Sequence, residues 1–87
     1  MAGQEKDAFV ALIAARDPQI RTLVEQGFEF VTNAFKAGAV PPGIKAPTDQ
    51  EHVRRLRREG YQVAVSPAYD ERGHPRPTLS AIWRKKR

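Results

Sequence analysis

The hydrophobic positions of this chain divide it into three helical stretches and one alternating stretch. Over residues 4–16, Phe9, Leu12 and Ile13 recur at three-and-four spacing and so share a helix face. Asp17-Pro18 follows. Aspartate is a strong helix N-cap and proline suits the first helical position, so a second helix is expected to start there. The alternative is one helix kinked at Pro18. Over residues 18–36, Ile20, Leu23, Val24, Gly27, Phe28, Phe30, Val31, Ala34 and Phe35 gather on one side of a helical wheel. Arg21, Thr22, Glu25, Gln26, Glu29, Thr32, Asn33 and Lys36 gather on the other. The apolar sector spans roughly 160°, enough to cover more than one neighbour. Such a helix is expected to be the spine of the core. Its Phe28, Phe30 and Phe35 are also candidates for a homodimer or other protein interface.

Gly38 suits the left-handed residue after a helix. Residues 39–47 hold three prolines and a glycine, and read as a connector pinned by Val40 and Ile44. Thr48-Asp-Gln-Glu51 is a capping box, in which threonine and glutamate side chains each satisfy an orphan amide at a helix start. The helix it opens turns Val53 and Leu56 inward, exposes Arg54, Arg55, Arg57 and Arg58, and closes at Gly60. A β-hairpin follows, with Tyr61, Val63 and Val65 alternating in one strand and Leu79, Ala81 and Trp83 in the other. A three-residue loop, Glu71 to Gly73, sets Tyr61 opposite Trp83, Val63 opposite Ala81 and Val65 opposite Leu79, making one apolar face. Gly73 then takes the left-handed position of a bulged loop. Pro67, Pro75 and Pro77 confine the distal half to an edge, with Arg72, His74 and Arg76 on a protruding tip.

These elements predict an α+β fold: three helices followed by a C-terminal two-stranded antiparallel β-hairpin, packed on the second helix. The 87 residues suit a single small domain. Within it, residues 4–47 form a helical half with its proline-rich connector, 48–83 the basic helix and hairpin, and 84–87 a basic tail; residues 1–3 are expected to fray.

Charge sharpens this picture. Up to Pro47 the cations Lys6, Arg16, Arg21, Lys36 and Lys45 are matched by Glu5, Asp7, Asp17, Glu25 and Glu29, so the whole net charge of +5 arises from Thr48 onward. A basic half favours an acidic partner: nucleic acid, an anionic membrane surface or an acidic protein surface. The membrane surface is the weakest of these, since the basic helix has too little apolar face to insert. Arginine offers a planar fork of donors suited to phosphates and guanine edges. The candidate nucleic-acid contacts are Arg54, Arg55, Arg57, Arg58, Arg72, Arg76, Arg84, Lys85, Lys86 and Arg87. The plain alternative for the arginine helix is a solvated face with local pairs to Glu51 and Glu59.

Catalytic chemistry finds little to stand on. There is no cysteine, which removes disulfides, thiolates and cysteine-based zinc sites. His52 sits ahead of four arginines with no ligand partner one turn away, and His74 lies in a turn, so no metal is expected. Ser66 and Ser80 lack an evident base, the glycines form no phosphate-cradling loop, and Asp70 with Glu71 is turn chemistry. No cofactor is implied. The longest apolar run, residues 8–15, is short of the roughly 20 residues of a membrane span, and acidic residues precede it, unlike a secretory leader. The expectation is therefore an intracellular, cytoplasmic, non-catalytic protein that binds DNA or RNA as a regulatory or accessory factor. The alternative is a protein–protein interaction module, an inhibitor or assembly component, that uses the apolar face of the second helix or the hairpin edge. Helices followed by a helix–hairpin pair resemble the winged-helix architecture, which implies a last helix in the major groove and a hairpin tip on the backbone. The connector here is longer than the turn of a helix-turn-helix.

Overall fold

The computed structural model describes residues 2–87, with side chains from residue 6 onward. Its elements run α1 (Ala2–Arg16), α2 (Pro18–Glu25), β1 (Glu29–Phe35), α3 (Asp49–Arg58), β2 (Tyr61–Tyr69) and β3 (Pro75–Lys86). The helix starts follow their capping chemistry. Asp17 accepts from the Gln19 amide ahead of Pro18. Thr48 and Glu51 form the reciprocal capping box of α3. The break between α1 and α2 falls at Asp17. Ala2 and Gly3, expected to fray, belong to α1, and Met1 lies outside the described residues.

The largest correction concerns residues 18–36, which do not form one helix. α2 stops after Glu25 in a Schellman motif: the Phe28 amide donates to Leu23 O and the Gly27 amide to Val24 O, both at 3.0 Å. Gly27 sits at φ +92°, where a side chain would be strained. Phe28 and Leu23, the apolar pair that accompanies such a motif, pack against the same core. Beyond it, Glu-Phe-Val-Thr-Asn-Ala-Phe is rich in aromatic and β-branched residues and becomes β1. Gly38 turns the chain after a strand, not a helix.

The fold is consequently not three helices followed by a two-stranded hairpin. β1 precedes α3 and joins a three-stranded antiparallel sheet of order β1-β3-β2. β1 and β2 run parallel on either side of β3, linked by the α3 crossover. Both faces of the sheet are covered. On one, Trp83, Ala81 and Ala68 pack under Ile13 of α1 and Ile20 of α2, with Phe9, Phe28 and Phe30 around them. On the other, Ile82 and Ala34 pack under Leu56 of α3, with Val31, Val53 and Val63. Each large side chain so buried contributes about 1.5–3 kcal/mol.

The hairpin register is the second correction. The loop itself follows expectation: Asp70 N donates to His74 O, Gly73 N donates to Asp70 O, and Gly73 has φ +81°. Tyr69 pairs with Pro75. An irregularity between Pro67 and Tyr69 then sets the four residues Arg76 to Leu79 of β3 against Ala68 alone, an offset of three residues, and Pro77 there has no amide to give. Past it, Tyr61 faces Lys86, Val63 faces Arg84 and Val65 faces Ile82. This offset is odd, so it exchanges the faces of β3 relative to β2. Trp83 lies opposite Ala64, and the valines of β2 belong to the α3 side.

Candidate nucleic-acid interface

The tip of the hairpin leans on the α1–α2 junction and does not protrude freely. Tyr69 Oη donates to Asp17 Oδ2 at 2.8 Å, which raises the Tyr69 pKa because the neighbouring carboxylate favours the protonated phenol. Gly73 is buried against Arg16: a Cβ on it would lie 2.6 Å from Arg16 Nε. Asp70 accepts from the amides of Arg72 and His74, each at 2.9 Å. Those bonds, that of His74 foremost, hold its pKa below the ordinary carboxylate value. Arg72 and Arg76 are exposed on this tip.

The other sequence-predicted cations divide into two groups. Arg54 and Arg57 flank a groove of about 290 Å3 between α3 and β2, together with Asp49, Gln50, Val53 and Val65. The last turn of α3, with Arg55 and Arg58, and the end of β3 lie toward the same end of the molecule, because Tyr61, just past α3, pairs with Lys86 and Gln62 pairs with Lys85. Residues 84–86 are thus part of the sheet and not a free tail; Arg87 alone extends beyond it. A cleft of about 300 Å3 opens here, lined by Gly27, Glu29, Arg84, Lys85 and Lys86.

Two of these cations are engaged. Arg84 Nε bonds Glu29 Oε1 at 2.7 Å and its guanidinium lies 4.7 Å from the Tyr61 ring centre. The bond to Glu29 raises its pKa, so it stays firmly protonated. Arg55 makes a looser i,i+4 contact with Glu59 at 3.9 Å. Among the described residues, the other eight sequence-predicted cations enter no ion pair. Part of the arginine content of α3 has a local explanation. Arg55, Arg57 and Arg58 sit in its last turn and Asp49 and Glu51 in its first, which complements the helix dipole at both ends. Arg54 has no such role.

The aromatic interface candidates do not share a helix face. Phe30 stacks edge-on between Phe9 and Trp83, with ring centres 5.4 Å apart in each pair. Phe28 lines the same core, and Phe35 ends β1 beside Leu79 and Thr48. The connector anchor Ile44 is 51% exposed. Sequence reasoning missed Glu29 as the carboxylate that ties Arg84, and no local signal marks a pair so far apart in the chain. It named a hairpin edge but not which one is open: β1 takes the outer side of β3, so the uncovered edge is that of β2. Among the described residues, no helix is long and apolar enough to cross a membrane. No protein-family model, no curated protein and no solved structure matches this chain.

Proposed function

We propose that this chain is a small non-catalytic protein that binds the phosphate backbone of nucleic acid with the end of the molecule where α3 and β3 finish. The observation that carries this reading is the pairing of Tyr61 with Lys86, which sets the cationic end of β3 beside the last turn of the arginine helix. Arg58, Lys85, Lys86 and Arg87 are the contacts, since Arg55 and Arg84 each already face a glutamate. Cations held by a sheet and a helix meet phosphates with less ordering cost than a free tail. A partner of this kind suits an intracellular, cytoplasmic protein.

Retention on DNA and RNA across a salt gradient is the test. Three to four phosphate contacts on duplex DNA give a slope of log K against log salt of about −2.7 to −3.6. Arg58→Ala with Lys86→Ala flattens the slope by up to about 1.8. Arg72→Ala with Arg76→Ala, at the opposite end of β3, leaves it unchanged. Equal losses from the two pairs, or no salt-dependent binding to either nucleic acid, refute the reading.

A further inference from the structure

The outer side of β2 is a strand edge whose main-chain groups pair with no other strand of the sheet. Lys36 N donates to Thr78 O, so even-numbered residues of β3 turn toward β1 and the odd-numbered Ala81, Trp83 and Lys85 turn toward β2. Their partners Ser66, Ala64 and Gln62 therefore bond inward, and Tyr61, Val63 and Val65 direct their amides and carbonyls outward. Two further observations agree. Gln19 Nε2 reaches Val65 O at 3.5 Å from α2. Pro67, which has no amide hydrogen to offer, occupies the next outward position. Beside this edge runs the groove under α3. Val53 and Val65 line it, Val65 being 42% exposed, with Arg54 and Arg57 and with Asp49, whose carboxylate accepts from the Gln50 amide and Ser80 Oγ.

We propose that this edge and groove bind an extended acidic segment of another protein as a fourth strand. Main-chain bonds to Tyr61, Val63 and Val65 supply the attachment. An apolar side chain beside Val65 fills the groove, and carboxylates beside it meet Arg54 and Arg57, neither of which has an ion-pair partner among the described residues. Charge also argues against a second copy of this chain. Antiparallel pairing of two β2 edges sets the Arg54 and Arg57 flanks of two α3 helices against each other. The inference rests on strand order and groove charge, not on the nucleic-acid reading.

The probe is a short fluorescein-labelled threonine peptide with a central valine and a glutamate two positions to either side, which puts all three on one face of a strand. Fluorescence anisotropy with the full chain should show saturable binding. N-methylation of alternate peptide amides should weaken it by about tenfold or more, as should Val65→Pro, which removes an outward amide at an exposed position. The double variant Arg54→Glu with Arg57→Glu should reverse the preference to the lysine version of the peptide. Val65→Pro should leave retention on DNA unchanged, which separates this inference from the phosphate surface. Equal binding of the methylated and unmethylated peptides on the unaltered protein overturns the proposal. So does a concentration-dependent dimer that Val65→Pro dissolves, or nucleic-acid binding that Val65→Pro abolishes.

Discussion

Replacing Ser66 by alanine reports directly on the strand offset that organises this protein. Trp83 is fully buried, and its indole Nε1 donates to Ser66 Oγ at 2.8 Å. The Ser66 hydroxyl in turn donates to Pro67 O at 3.0 Å. Both residues lie where water is excluded. Ser66→Ala therefore leaves the indole N–H without an acceptor, which costs about 1–3 kcal/mol. In a domain of this size each kcal/mol moves the melting temperature by about 4–8 °C. A central cost of about 2 kcal/mol thus lowers it by about 8–16 °C. Urea unfolding followed by far-UV circular dichroism and by the fluorescence of Trp83, the one tryptophan, gives the free energy. The double variant isolates the bond: in a Trp83→Phe background the donor is gone, and Ser66→Ala should cost at least about 1 kcal/mol less. With Tyr61 opposite Trp83, Ser66 would sit well along the strand from the indole and its loss would be nearly neutral. A change within about 0.5 kcal/mol of the parent, or the same cost in both backgrounds, refutes the register and the core built on it.

Three further substitutions test other parts of the structure. Gly73→Ala should lower stability by about 1–2 kcal/mol through its positive φ, read by thermal melting; Arg16→Ala should relieve the side-chain collision but not the backbone strain, and an unchanged melting temperature contradicts the packed tip. Thr48→Ala removes one arm of the capping box and should cost about 1 kcal/mol, measured by urea unfolding and largely restored by Thr48→Ser. His52 has its pKa lowered from 6.5, by burial first and by Arg55 second, and its Nδ1 is buried without a partner. Because the unfolded chain takes up that proton first, the contribution of the neutral ring is present above pH 6.5 and is lost as pH falls through the folded value. His52→Gln should flatten the fall of stability with acid below pH 6.5, and an identical pH profile in the two proteins contradicts the assignment.

The parts of the fold that local chemistry dictates were readable from the chain. Asp17-Pro18, Thr48 with Glu51, Gly60 and the loop closed by Gly73 each answer a demand for caps or special backbone angles that neighbouring residues alone impose. Residues 28–35 were not, because Phe28, Phe30, Val31, Ala34 and Phe35 fit a helical face and a bulged strand alike. Val31 lies at the register shift of β1, which breaks the alternation that would have identified a strand. The deciding signal was Gly27 followed by Phe28, the glycine and apolar pair that ends a helix. The register was hidden for another reason. The loop favours one pairing, and burial of Trp83 and Ile82 on opposite faces favours another. The extra residues around Pro77 let both be satisfied, and no local pattern encodes such a compromise. The cations were individually legible, but their grouping into a tip, a groove and an end followed from that offset.

The same offset links core and charge. With Trp83 opposite Tyr61, the chain beyond Trp83 would pass the start of β2 and leave Arg84 to Arg87 as an unsupported tail. Drawn along by the extra residues near Pro77, Lys86 instead reaches Tyr61, and Arg84 comes within reach of Glu29 and the Tyr61 ring. One arginine is thereby neutralised, while Lys85 and Lys86 gain a backbone held by strand pairing next to the last turn of α3. That trade favours a surface over a tail. Charges fixed to a sheet lose less freedom when a phosphate binds, and their spacing is set by the strand. The odd shift that buries the tryptophan also turns Val63 and Val65 toward α3, so that Val65 lines the groove at the uncovered edge of β2. The cationic end and the apolar groove are therefore two consequences of one irregularity in β3, and a variant that straightened it would lose both.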